Sequence, residues 1–402
     1  MSAPSGPEAR SGAGEARRSE VGVFDAIRER VRAGEPLSFE DGLALFRHPN
    51  LMELGALANE VRERLHGGRT YFNRNLHINA TNVCVASCRF CSFARLKPGD
   101  AGAYTMSHAE AWAKLQGRVD AGDRLTEVHI VNGLHDGLDF AYYEELLRGL
   151  KRIQPSIHLK AFTAVELFFF HQHFGLPVRT VIERLRAAGM DSLPGGGAEI
   201  FAPKVRKKIC DDKCTADEWL DVHRTAHRLG LRSNCTMLYG HIETDADRVD
   251  HLLRLRALQD ETGGFQTFIP LAFHPDNNAL MRLPGPTAVE DLRLYAVSRL
   301  MLHNIPHLKA YWIMLGIKTA QTALWFGADD LDGTVQEEKI YHMAGAETPQ
   351  AMTTGEIVRL IRNAGREPVE RDTLYNVVAE GEALGGNKPF RREVRKSLEI
   401  VP

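Results

Sequence analysis

Between Tyr71 and about residue 326, short apolar or alternating runs take turns with segments whose apolar residues recur every three or four positions. A period near 3.6 marks one face of a helix, whereas alternation, or a short apolar run bounded by turn residues, marks a strand. Candidate strands fall at 75–80, 126–132, 157–163, 190–193, 231–238, 265–272, 307–312 and 322–326. Strands separated by amphipathic helices form βα units, and such units build a parallel sheet. Eight of them predict an α/β fold, a (β/α)8 TIM-like barrel, full or slightly open. A six-strand partial barrel is the alternative, because 314–335 mixes both periods. Helix ends carry their own signals. Ser107-His-Ala-Glu110 and Thr215-Ala-Asp-Glu218 read as capping boxes, and Gly122 and Gly230 stand where helices stop. From Thr215 onward, Trp219, Val222, Ala226 and Leu229 recur at helical spacing and predict one buried stripe.

The flanks read differently. Residues 21–70 carry three helical patterns, Val23, Ile27 and Val31, then Leu43, Leu45 and Phe46, then Leu54, Leu57, Val61 and Leu65. Ser38 can cap the second helix and Gly67-Gly68 end the third, so 21–70 is expected to be a helical N-terminal extension. Residues 1–20, rich in Ser, Ala, Gly and Arg, are expected to be a disordered lead-in. The barrel is assigned to 71–375 and a polar tail to 376–402, after an amphipathic helix that starts near Thr353.

Composition narrows the field only a little. Over 402 residues the formal net charge is -2, which gives no reason to expect a nucleic-acid or membrane partner. No apolar run reaches the roughly 18 residues of a membrane helix. Arg17-Arg18 is followed by charges where an export signal needs an apolar core. Six cysteines, three of them clustered, do not make a disulfide framework and fit a reducing compartment, so a cytoplasmic protein is expected.

The clustered three carry the chemistry. Cys84-Val-Ala-Ser-Cys88-Arg-Phe-Cys91 has the spacing C-x3-C-x2-C, and a loop of this length can turn three thiolates inward onto three corners of one iron-sulfur cube. Clusters that only carry electrons normally have four protein thiolates. A metal site that does chemistry keeps a position open. Zinc wants a closed set of four, and no fourth ligand follows Cys91 at a knuckle-like distance; three unrelated thiols are the other plain reading. On the predicted scaffold this loop follows the first strand, at the end of a barrel where βα loops assemble active sites.

With Phe90 just before its last cysteine, the stretch resembles the signature of the radical S-adenosylmethionine (SAM) enzymes. Longer stretches resemble, within that superfamily, the aminofutalosine synthases of the futalosine route to menaquinone. They are Leu159-Lys-Ala-Phe-Thr-Ala-Val-Glu166, Gly195-Gly-Gly-Ala-Glu-Ile-Phe201, Glu218 to His227, Arg232 to Thr244 and Gln259 to Phe265. Looser forms occur in dehypoxanthine futalosine cyclase and the deazaflavin (FO) synthases, which remain alternatives, as does a non-catalytic iron-sulfur carrier or scaffold. The resemblance implies a [4Fe-4S] cluster on Cys84, Cys88 and Cys91, and SAM consumed as co-substrate. It implies addition of the 5'-deoxyadenosyl radical to 3-[(1-carboxyvinyl)oxy]benzoate, with aryl migration and decarboxylation, to give 6-amino-6-deoxyfutalosine. An electron donor such as flavodoxin or ferredoxin is implied too.

Other candidates lie at strand ends. Val131-Asn-Gly-Leu-His-Asp136 occupies the place of a Gly-Gly-Glu-like turn in these enzymes, so Gly133 and, less typically for the family, Asn132 are candidates to approach SAM. Gly195-Gly196-Gly197 permits close backbone contact with a cofactor, and Glu199 can accept from a ribose hydroxyl or the SAM amino group. Tyr239, His241 and Glu243 crowd the exit of the fifth strand, as candidate substrate-binding and catalytic groups. His274 and Arg282 follow the sixth, and Lys160 lies in the third; these are candidate carboxylate binders. Cys210-x3-Cys214 with His223-x3-His227 has the outline of a zinc finger, but its eight-residue gap is short, and ordinary thiols and histidines are the default.

Overall fold

The structure, a computed structural model, describes residues 11–385, with side chains from Gly22 onward. The preface is three helices, Ser11–Ala33, Phe39–Arg47 and Leu51–His66. The first begins at Ser11, inside the stretch read as a disordered lead-in; Ala, Arg and Glu favour helix even where hydrophobicity is low. Residues 1–10 of that stretch lie outside the described residues. The buried stripe of this helix is Phe24, Ile27 and Val31, while Val23 is 47% exposed, so the expected stripe was offset by one residue at its start. Ser38 and Asp41 form a reciprocal capping box, and Gly67 ends the third helix with φ 59°.

Seven strands form one parallel sheet in sequential order: β2 (Asn75–Ile78), β3 (Glu127–Ile130), β4 (His158–Ala161), β5 (Ser192–Leu193), β6 (Arg232–Tyr239), β7 (Phe265–Ala272) and β8 (His307–Leu308). The sheet curls. Its two edges meet through the segment after β8, where bridges Lys309↔Asp330 and Leu76↔Gln336 tie both sides to residues 330–336. A second sheet, in the order β11-β10-β1-β9, packs β1 (Arg69–Asn73) between β9 (Asp330–Gly333) and β10 (Glu367–Arg371), with β11 (Val377–Glu380) antiparallel at its edge.

The fold is therefore a TIM-like partial barrel, and the eighth element is not where the pattern put it. Residues 322–326 belong to the helix Ile317–Ala323 and the turn after it, since a short apolar run does not tell a buried helix from a strand. The closing strand is the acidic Asp330-Leu-Asp-Gly, which reads as a turn in sequence. It is held by buried partners: Arg371 reaches Asp330 at 2.6 Å and Lys309 reaches Asp332 at 3.1 Å. The expected polar tail contributes β11, and its remainder beyond Gly385 lies outside the described residues.

The capping boxes at Ser107 and Thr215 form as the spacing implies. Trp219, Val222 and Ala226 are buried, pressing that helix onto the sheet. No helix of the described residues is long and apolar enough to cross a membrane.

Candidate active site at the C-terminal end of the barrel

Strand alternation decides which side chains look inward. Asn234, Thr236 and Leu238 of β6 line a cavity of 270 Å³ at the C-terminal end of the barrel, together with His77, His129, Ile269, Leu271 and Lys309. The loop carrying Cys84, Cys88 and Cys91 lies over it, and all three cysteines line it. That loop is pinned by backbone bonds: Cys84 N–H donates to Arg95 O at 2.8 Å, Val85 N–H to Leu134 O at 2.9 Å and Arg89 N–H to Ile209 O at 2.9 Å. Ala94 N–H donates to Cys91 Sγ at 3.4 Å. No other cysteine of the described residues lines the cavity. Three thiols without a fourth fit a cluster with one iron left for a small molecule.

The turns around the loop are shaped for close approach. Gly133 N–H donates to Thr81 O at 2.9 Å, and a Cβ on Gly133 would fall within the radius of the Val83 carbonyl oxygen. Gly133 also lines the cavity, and its lack of a side chain leaves room for the cysteine loop's own backbone. Asn132 lines the cavity and ties strand ends together, its Oδ1 accepting from Ala80 N–H at 2.6 Å and its N–H donating to Glu166 at 3.0 Å. Burial pushes Glu166 up to about 7, against donors from Thr163 and Asn132. In the triglycine turn, Gly197 has φ 86°, Gly195 lies where a Cβ would be 2.7 Å from Cys235 Cα, and Gly196 lines the cavity. Trp219 anchors this turn, its Nε1–H donating to Gly196 O at 3.2 Å. Glu199 and Lys213 line the same wall as an ion pair of 2.5 Å, with Phe90 beside Lys213 at 5.6 Å.

Several candidates lie elsewhere. Tyr239 has the other parity on β6; its hydroxyl donates to Asp291 at 2.6 Å, away from the cavity. Burial raises the Asp291 carboxyl to about 6. Tyr239→Phe is expected to lower stability by about 1–2 kcal/mol in urea denaturation, while KM for SAM stays unchanged. The side chains of His241 and Glu243 are fully buried in the turn after β6, and neither residue lines the cavity. Glu243 accepts from Gly240 N–H at 2.6 Å and His241 N–H at 2.9 Å and pairs with Arg248 at 2.6 Å, so it locks the turn into the next helix. His241 Nε2 is spent on Leu238 O at 3.2 Å. Lys160 does not line the cavity either, and its charge is matched by Glu127 at 2.7 Å. Arg282 is an exposed loop residue outside the cavity. His274 does line it, with Nε2 donating to Met314 O at 2.9 Å. The zinc-like set is not assembled: His223 Nδ1 and His227 Nε2 share Ser233 Oγ, each at 2.8 Å.

Inward polar residues of the strands are what pattern reading missed. His77 and His129 stack at 4.7 Å with an interplanar angle of 1°, and burial, then the neighbouring His129, lowers His77 to about 3. His77 Nε2, Asn79 Oδ1 and Asn234 Oδ1 are buried without a hydrogen-bond partner, and all three residues line the cavity. The signal was available: Asn234-x-Thr236 and His77-x-Asn79 put polar residues two apart in otherwise apolar strands.

Comparison with known proteins agrees with this geometry. The chain matches the Radical SAM superfamily over residues 78–255 and the CofH/MqnC C-terminal region over residues 262–384. It is 50% identical to an aminodeoxyfutalosine synthase of Thermus thermophilus, over 88% of this chain and 95% of that protein. It is 47% identical to one of Streptomyces coelicolor, over 95% of this chain and 100% of that protein. A 5-amino-6-(D-ribitylamino)uracil--L-tyrosine 4-hydroxyphenyl transferase of Methanopyrus kandleri is 43% identical, over 80% and 88% respectively. In structure the chain resembles methylornithine synthase (PylB), with TM-score 0.67 and 17% identity, covering 85% of this chain and 97% of that one; this likeness concerns the fold. With half of its aligned residues shared along nearly the whole of one such synthase, the chain belongs to the radical SAM superfamily, in the group that carries the CofH/MqnC C-terminal region.

Proposed function

We propose that the chain is an aminodeoxyfutalosine synthase. It joins the 5'-deoxyadenosyl carbon of SAM to the enol-ether alkene of 3-[(1-carboxyvinyl)oxy]benzoate, with aryl migration and loss of one carboxyl group. The single observation that carries this reading is one cavity with two ends: the three cysteines in the loop at its mouth, and unsatisfied buried polar atoms on strand residues at its floor. Cys84, Cys88 and Cys91 would hold a [4Fe-4S] cluster. When bound, the cluster supplies the electron that cleaves SAM. The chain's own residues do the rest by position. Asn79 Oδ1 and Asn234 Oδ1 are acceptors suited to ribose hydroxyls or an amino group of SAM, and Gly196 leaves room at the turn. Ile269, Leu271 and Phe273 give an apolar wall for an aryl ring, keeping water and stray hydrogen donors from a reactive carbon.

The substrate carboxylates need donors, and Lys160 and Arg282 are not placed to serve. His77 Nε2–H and the Lys309 ammonium, the latter 3.1 Å from Asp332, take that role. His77→Ala is then expected to raise KM for the enol ether on the order of tenfold while KM for SAM is unchanged; equal changes in both would move the carboxylate site elsewhere. The function itself is tested by giving the anaerobically reconstituted protein SAM and dithionite with either of two substrate sets. Turnover of 3-[(1-carboxyvinyl)oxy]benzoate is expected. Turnover of L-tyrosine with 5-amino-6-(D-ribitylamino)uracil instead would assign the chain to the other transferase.

A further inference from the structure

We infer that His66, His307 and Asp329 form a binding site for a divalent cation of the zinc type at the base of the barrel, where the cation clamps the helical extension to the strands that close the barrel. Three segments meet there. His66 ends the helix Leu51–His66, His307 opens β8, and Asp329 immediately precedes β9. One ligand atom from each, a ring nitrogen of either histidine and a carboxylate oxygen, lie within 4.8 Å of one another. Asp329 Oδ2 is 2.6 Å from His307 Nδ1 and 3.5 Å from His66 Nε2. The same Nε2 is 2.9 Å from Pro306 O, which adds a fourth donor. Two imidazoles, a carboxylate and a carbonyl are nitrogen and oxygen donors in the number that zinc takes.

The ligands are held from behind. Asp329 Oδ1 accepts from Leu308 N–H at 2.7 Å, which leaves Oδ2 to face both imidazoles. His307 stacks on Tyr375 at 3.5 Å and on His66 at 4.8 Å, with Tyr71 edge-on at 5.1 Å. Outer partners that fix a carboxylate and a ring in this way orient them for a metal. The side chains of His66, His307 and Asp329 are 7%, 11% and 0% exposed, so the site is shielded yet open at one edge. Two buried guanidinium groups lie close by, and both are spent on other acceptors. Arg62 donates to the carbonyls of Ala328, Gly67 and Arg69 and to Thr70 Oγ1. Arg299 donates to Leu302 O and Ile305 O, each at 2.6 Å, and to Pro306 O at 3.2 Å. Their charge opposes a hard cation that relies on many oxygen ligands, and so favours a metal held by imidazole. Binding is an ion exchange: the cation enters and the proton between His307 Nδ1 and Asp329 Oδ2 leaves to solvent. His307 begins its strand, at the end of the barrel opposite the cysteines, where side chains serve stability rather than chemistry.

The test needs no turnover. The anaerobically reconstituted protein is incubated with zinc sulfate, passed through a desalting column and assayed for zinc and iron by plasma mass spectrometry. Wild type is expected to keep about one zinc per chain beside its cluster iron, and added zinc is expected to raise its Tm by a few degrees. His66→Gln, whose amide can still donate to the Pro306 carbonyl, and Asp329→Asn are each expected to retain zinc on the order of tenfold less well or worse. Their iron content stays at the wild-type level, and their Tm no longer responds to zinc. Alanine at both Cys210 and Cys214 is expected to leave the zinc in place. Wild type that leaves the column without zinc would overturn the proposal, because the histidines and Asp329 would then be held by their own hydrogen bonds alone. So would full zinc in His66→Gln and Asp329→Asn, zinc that disappears with Cys210 and Cys214, or zinc that leaves His66→Gln only together with iron.

Discussion

Alanine at Cys84, Cys88 or Cys91 abolishes the cluster's visible absorbance and SAM cleavage, whereas alanine at Cys210, Cys214 or Cys235 keeps both. The contrast is expected because the first three thiols line one cavity and the other three are buried outside it. Cys210 and Cys214 flank the turn after the helix Pro203–Ile209, close enough to the cysteine loop to tempt assignment as ligands. Arg206, though, is bonded to the Cys214 carbonyl and to Ala198 O at 2.6 Å, which gives that segment a packing role. Cys235 sits on β6 with the outward parity of Met237 and Tyr239, against the helices. Loss of a single ligand thiolate leaves two, too few to hold a cube whose fourth corner is already reserved. A cluster that survived Cys88→Ala and vanished with Cys210→Ala would reverse the assignment. Iron content and absorbance, read beside circular dichroism to show a folded chain, decide it.

Gly133→Ala is expected to act almost as strongly without touching a ligand. A methyl group at this position meets the Val83 carbonyl oxygen, Val83 carbon and Asn82 carbon, all backbone atoms that cannot rotate away. The turn or the cysteine loop must move. Overpacking of this kind typically costs about 1–3 kcal/mol of stability, but the functional loss is larger, since the displaced backbone carries Cys84. Misplacement by about an ångström at a reacting centre costs on the order of a hundredfold in rate. The variant should therefore bind iron poorly and turn over on the order of a hundredfold more slowly, while Gly122→Ala, at an open helix end, changes turnover little. Wild-type rates in Gly133→Ala would mean that the loop has slack the packing does not suggest.

Part of this site is already visible in one dimension. The cysteine spacing, the capping boxes and the apolar or alternating runs of seven strands are local signals, and local signals survive into the fold. Asp330-Leu-Asp-Gly did not read as a strand because its partners, Arg371 and Lys309, are far along the chain and their charges only make sense as buried pairs. Tyr239 looked like a site residue because it ends a strand, yet parity sends it to Asp291. His241 and Glu243 sit at a strand exit as expected, but they spend their polar atoms on the turn itself. Conversely His77, His129 and Asn234 looked like ordinary strand residues until curling of the sheet turned them onto one cavity. Loops announce their chemistry by spacing; a barrel interior announces it only once the strands are set side by side.

The fate of the adenosyl group separates a synthase from other radical SAM enzymes. Incubating the reconstituted protein with SAM labelled in its adenine, dithionite and 3-[(1-carboxyvinyl)oxy]benzoate, then reading the products by mass spectrometry, follows that group directly. Adenine label in an adduct with the aryl group, formed with methionine and with loss of one carboxyl, is the predicted result. Label recovered only in free 5'-deoxyadenosine, with the aromatic acid returned intact or merely stripped of a hydrogen, would contradict it.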